Sequence, residues 1–466
     1  MKVEDIVENI LNSNSSFIQE YEDEVLEKEF CLKHHAIDKV LIFNKCVFDK
    51  DILFQYATFK HVIKFKKCKF KGQILFGDET IYETNSSIEK DIYFNESIFF
   101  DKICLDGLVC KGSIFIKRCN FIKKINQDSI VPQIFGVSIA SVNISKSLNI
   151  EDSVFLGGLS LNACKIGIGL LLHNVKFLNE NSSINFIAAD LGIAFEVVGC
   201  FFKCNIINLD GVTISSHANI YPKEIFKWDK DEFVNSYNDK HAIQKRFAQN
   251  GIHLRPKFSI VNKENLDSND NKYLTILSAT GYYVLIDNET FYSVYEGVYF
   301  YITSSFDMSY SRVGLKISFN CVSFSSSFFN ISNITTREIS FENTDFNILG
   351  LFDSSNINCR KIVFLNSSII SSDIIDFRHS NINWIFDINK SLFNAQALNL
   401  NGINCIGGIF IRDSGLEITE KSDVNKKERD IDLSFCYFGK NIEFRNFNIV
   451  TNIISKRRIP HHRFKY

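Results

Sequence analysis

The chain is 466 residues long, with 45% hydrophobic and 23% charged residues, proportions of a folded protein that exclude a disordered, collagen-like or low-complexity chain. Lys and Arg number 52 against 54 Asp and Glu, a formal charge of −2, so no global field draws nucleic acid in or drives it away. Two counts are unusual, 45 Phe and only 4 Pro. At roughly 100–200 residues per domain the length predicts about three domains or one elongated repeat protein. No apolar run approaches the about 20 residues of a membrane-spanning helix. The N-terminal stretch MKVEDIVENILNSNSS does not read as a secretory signal. The 13 cysteines, an odd number without a CxxC pair, predict a reducing, cytoplasmic compartment rather than a disulfide framework.

Residues 1–38 place Val3, Ile6, Val7, Ile10 and Leu11 at helical spacing. One or two helices are expected there, capping the open end of a solenoid whose bare edge would otherwise pair with another molecule. Residues 39–220 then carry an internal repeat. Bulky apolar residues fall at Phe43, Phe48, Phe54, Phe59, Phe65, Phe70, Phe76 and Ile81, alternately 5 and 6 apart, and the rhythm returns from Phe94 to Phe121 and from Ile139 to Ile214. A helix needs apolar spacings of 3 and 4, and a plain strand alternates by 2. A 5/6 rhythm therefore requires short strands whose phase is reset at corners. Such strands stack turn upon turn, so that each Phe lies on the Phe of the next turn, with two units of 11 making one turn of 22. The corner position after an anchor is small: Cys46, Ala57, Cys68, Ser97, Cys119, Ser153, Cys164, Cys200 and Cys436.

Residues 221–295 interrupt the rhythm. DKDEFVNSYNDKHAIQKRFAQNGI suggests a helix ending near Asn250-Gly251, and 273–300 read as aromatic strands. Residues 296–450 resume the repeat less regularly, through Phe341, Phe346, Phe352 and Ile357 to Leu433, Phe438, Phe444 and Ile449. Their surface is poor in charge and rich in Ser and Asn, residues that suit corners. Residues 451–466 form a basic tail.

The stretches LNIEDSVFLGGLSL and LSLNACKIGIGLLLHNVKF resemble the bacterial pentapeptide-repeat-related β-helix proteins, whose units read L-x-L-x-G-A-x-I-x-G. The resemblance covers about two thirds of the chain, with Phe in place of Leu and the Gly-Ala corner mostly lost. It implies an all-β solenoid, a right-handed quadrilateral β-helix. Here that fold is expected as two blocks, 39–220 and 296–450, with the helical cap 1–38 and a mixed helical insert 221–295.

The chemistry-bearing residues are few. Lys60, Lys64, Lys66, Lys67, Lys69 and Lys71 alternate with inward phenylalanines and form a candidate basic patch on two turns, able to meet an anionic partner. In the tail, Lys456, Arg457, Arg458, Arg463 and Lys465 could take anionic lipid or nucleic acid. Cys31, His34 and His35, like the His461-His462 pair, lack a second ligand pair, so no metal is expected. No GxSxG, P-loop or dinucleotide fingerprint occurs, and neither a catalytic residue nor a cofactor is assigned. Asp373, Asp376 and Asp387 are the acids that come nearest to a glycosidase pair, but the 11-residue step from Asp376 to Asp387 puts them on opposite sides of a turn. The expectation is a non-enzymatic, cytoplasmic scaffold with a protein partner. The alternatives are a β-helix carbohydrate-active enzyme, which would need a signal and an acidic groove, and an inhibitor or protector of a nucleic-acid enzyme, which would need an acidic rod.

Overall fold

The structure is a computed structural model. It describes residues 2–12, 14–77, 86–122, 135–222, 224–229, 274–277, 283–286, 290–295, 298–300, 305–365, 368–418, 431–446 and 448–450. The chain forms a parallel β-solenoid of about 13 turns. One turn shows the plan. Val40–Asn44, Val47–Phe48, Ile52–Leu53 and Thr58–Phe59 are four short strands, called here the first to fourth faces. The first three pair in parallel with counterparts 22 residues on, as in Phe43 with Phe65 and Phe48 with Phe70, and Thr58–Phe59 pairs with Ser87–Ile88, 29 residues on. The 5/6 rhythm thus becomes one inward anchor on each face, and every anchor from Phe43 to Phe76 is buried. Ile81 lies outside the described residues.

Ring stacking follows from that register. On the second face Phe48, Phe70, Phe99, Phe121, Phe155, Phe177 and Phe202 form one column, with centroids 4.4–5.5 Å apart and near-parallel planes. Later turns repeat the arrangement on the first face, with Phe319, Phe341 and Phe364 at 5.2 and 4.6 Å.

Two corners of each turn use left-handed backbone. One column runs through Lys45, Lys67, Glu96, Arg118 and Asp152, the other through Tyr56, Ala163, Tyr310, Asn333 and His379, all with φ near +50 to +60°. Most of these residues are not glycine. The conformation costs roughly 1–2 kcal/mol for a residue with a Cβ, and inter-turn hydrogen bonds such as Lys45 N to Lys66 O, 2.8 Å, oppose that cost. The small residues beside the first column do more than fit. The Ser97 hydroxyl accepts from the Cys68 N–H at 3.1 Å and donates to the Asn95 carbonyl at 2.9 Å, and Ser153 does the same for Cys119 and Glu151. Thiols substitute for hydroxyls there, as where Cys68 donates to the Phe43 carbonyl.

Three features differ from the sequence expectation. Among the described residues, helix is limited to Val3–Leu11, which buries Val3, Ile6 and Ile10 over the first turn, and strands already begin at Ile18–Glu22 inside the segment expected as a helical cap. The two expected blocks are joined in space. Phe201–Lys203 pairs with Val298–Phe300, Ile206–Asn208 with Ser305–Asp307, and His217–Tyr221 with Lys316–Asn320, all in parallel. The segment between them leaves and re-enters at a single corner. Pro222 supplies the reason. By register it occupies the position of Gly199 and Cys321, both left-handed, and the proline ring fixes φ at a negative value. The described part of the insert is an antiparallel sheet of Glu224–Asp229, Leu274–Leu277, Tyr283–Ile286 and Thr290–Tyr295. The helix expected to end near Asn250 lies outside the described residues, as does the tail 451–466.

Candidate functional site

The outer surface is a ladder of charges matched across turns. Lys60 meets Asp38 at 3.0 Å, Lys71 meets Asp49 at 2.7 Å, Lys111 meets Glu89 at 2.7 Å, and Lys117 meets Glu151 at 3.0 Å. Further along, Lys203 meets Glu180, Lys316 meets Glu338 and Arg412 meets Asp387. Side chains one turn apart stand directly over one another on a parallel stack, so opposite charges in one column attract. Exposed pairs of this kind contribute about 0–1 kcal/mol each.

The lysines singled out in the sequence belong to that ladder. Lys60 and Lys71 are paired as above, and Lys67 lies 3.7 Å from Glu96. Lys64 sits over the Tyr93 ring, 5.4 Å from its centroid, and Tyr93 in turn stacks on Phe115. Lys66 and Lys69 make no ion pair among the described residues. The structure places the six lysines on two neighbouring turns, with three of the six facing a carboxylate. The basic tail Lys456, Arg457, Arg458, Arg463 and Lys465 lies outside the described residues.

The acids have structural partners too. Asp376 is buried; its carboxylate accepts from the Arg378 backbone N–H at 2.9 Å and from the Arg378 guanidinium at 2.7 Å. It belongs to a column of Asn208, Asp307, Asn330, Asp353, Asp376, Asn399 and Asp432, each accepting from the backbone N–H two residues on. That bond is an Asx turn, and it sets up the left-handed residue that follows. Asp387 lies on a different face and holds Arg412, while Asp373 accepts from Gln396 at 2.7 Å. All 13 cysteines are free. Burial pushes the thiols of Cys110, Cys119 and Cys164 up to about 12, which keeps them as protonated core groups. His34 stacks on Tyr56, and no group of metal-binding side chains gathers among the described residues. No described helix is long and apolar enough to cross a membrane.

What the sequence reading missed is a ridge at the corner between the fourth and first faces. Ile168, Ile193, Leu315 and Trp384 are 49, 52, 43 and 46% exposed. Backbone bonds and register put them in one column with Ser216, Arg337 and Arg360: Ile193 N bonds to Ile168 O, Ser216 N to Ile193 O and Leu315 N to Ser216 O, and Leu315, Arg337, Arg360 and Trp384 each precede one of the register partners Lys316, Glu338, Lys361 and Ile385. Each ridge residue lies two before an inward anchor, as Ile168 before Leu170, Leu315 before Ile317 and Trp384 before Phe386. In sequence, Ile168-Gly169-Leu170 reads as one alternating strand with both apolar side chains inward. The corner turns the first of them out. The signal available was an apolar residue recurring at a position where the other turns carry Arg, Ser or Lys.

No protein-family model matches this chain, and neither the curated proteins nor the solved structures contain a match.

Proposed function

We propose that this protein is a non-enzymatic interaction scaffold, a right-handed quadrilateral β-helix akin to the bacterial pentapeptide-repeat proteins, working in a reducing, cytoplasmic compartment with a protein as its partner. One observation carries the reading: four large apolar side chains, Ile168, Ile193, Leu315 and Trp384, are held out to solvent along a single corner of the stack. Exposed apolar residues in a line, on a backbone tied at every turn, suit recognition of another surface. The free thiols support the compartment. The test is purification of the tagged full chain from its native cells, with partners identified by mass spectrometry and re-bound from purified components. A defined, saturable protein partner is expected. A chain that binds no protein and instead cleaves glycans contradicts the reading.

A further inference from the structure

Resting on the scaffold reading, we propose that the corner ridge binds an acidic, apolar segment of the partner protein, with its carboxylates at Arg337 and Arg360 and its apolar side chains against Ile193 and Leu315. The charge pattern points to this occupant. Many outward cations face a carboxylate one turn away, as Lys60 faces Asp38 and Lys203 faces Glu180. On the ridge two guanidinium groups follow one another instead. Arg337 is followed in the next turn by Arg360, whose N–H donates to the Arg337 carbonyl at 2.9 Å, and Lys361 is adjacent. Lys361 is in register with Glu338, whereas Arg337 and Arg360 make no ion pair among the described residues, and like charges directly opposite one another repel. A carboxylate arriving from outside relieves the repulsion, and guanidinium groups take it in bidentate fashion.

Trp384 completes the cationic end. The register shifts between Cys359 and Lys361 where this strand meets Asn381–Asn389, and such a bulge re-aims a side chain. The Arg360 guanidinium covers one side of the indole, 4.8 Å from its centroid. The following turn puts Gly407 in the same column, so the residue in register with Trp384 adds no side chain over the ring. A Cβ on Gly407 would collide with the Trp384 carbonyl oxygen. Trp and Arg are the residues that most often dominate binding energy at protein interfaces. The column from Ile168 to Trp384 spans six turn-to-turn steps, roughly 29 Å at about 4.8 Å each, which an extended segment of about nine residues covers. A nucleic-acid backbone would need cations along the whole length, whereas the column from Ile168 through Ile193 and Ser216 to Leu315 carries none.

The test uses the full-length protein and a fluorescein-labelled peptide alternating Glu and Leu, with an alternating Lys-Leu peptide and labelled oligo-dT as comparison probes. Saturable binding of the Glu-Leu peptide alone is expected, with a change in Trp emission that Trp384→Phe removes. Arg337→Glu/Arg360→Glu and, separately, Leu315→Ser should each weaken it at least about tenfold, with the melting transition checked for both. Equal binding to wild type and both variants, preference for oligo-dT, or no binding overturns the ridge proposal. A partner that co-purifies equally with wild type and Arg337→Glu/Arg360→Glu also overturns it, yet leaves the scaffold reading standing.

Discussion

Phe65 lies between Phe43 and Phe94, with centroids 5.2 and 5.3 Å away and planes within 11°. It is fully buried, so Phe65→Ala removes contacts to two turns at once and should destabilise the protein by about 3–5 kcal/mol. Urea unfolding measures this, and a loss under about 1 kcal/mol would contradict the stacked register. Asp345 gives a second residue-scale test. Burial pushes its carboxyl from 3.8 up to about 6. The folded state then keeps a proton that the unfolded chain has released, so stability is greatest below the unfolded value and falls as pH rises through about 6. The loss attributable to Asp345 is on the order of 2–3 kcal/mol. Asp345→Asn should remove it, so that the stability difference between variant and wild type grows from pH 4 to pH 8. A difference independent of pH contradicts the assignment.

At the scale of the element, the lesson concerns corners. The inward anchors were legible because apolar spacing survives any corner geometry; Phe43 to Phe76 needed only a count of residues. The outward side chains were not, because their direction depends on backbone conformation that a side chain does not announce. Lys45, Lys67 and Tyr310 adopt left-handed φ without being Gly or Asn, and the same ambiguity hid the Ile168 ridge. Three of the six lysines face carboxylates, Asp38, Asp49 and Glu96, that come from turns 22–29 residues away and are not announced by the local sequence. The break at 221–295 reads as an insert or a junction since the rhythm stops, and a long excursion at one corner stops the rhythm without parting the stack. Replacing residues 222–298 by a two-residue link, equivalent to Lys45-Cys46 between the first and second faces, should therefore leave one cooperative unfolding transition. Two separated transitions, or loss of the β-sheet circular dichroism signal, would contradict a continuous stack.

For the whole molecule, about 13 turns at about 4.8 Å make a stack roughly 60 Å long. Its two ends are unlike. Helix Val3–Leu11 covers the first turn, whereas in the last described turn the anchors Leu433 and Phe444 are 39 and 41% exposed. Between the ends, every described turn rests on its neighbours alone, and that is how the ridge residues from Ile168 to Trp384 come to share one line although 216 positions apart in sequence. The junction across the insert is the single point on which this geometry depends. Asn219 and Ser318 are outward-facing register partners there, 99 residues apart in sequence. A double variant, Asn219→Cys/Ser318→Cys, treated with a short thiol-to-thiol crosslinker and digested with protease, measures it directly. A crosslinked peptide joining the two positions, absent from either single variant, is the predicted result; thiols that label singly and never join would contradict the continuous stack and the ridge built on it.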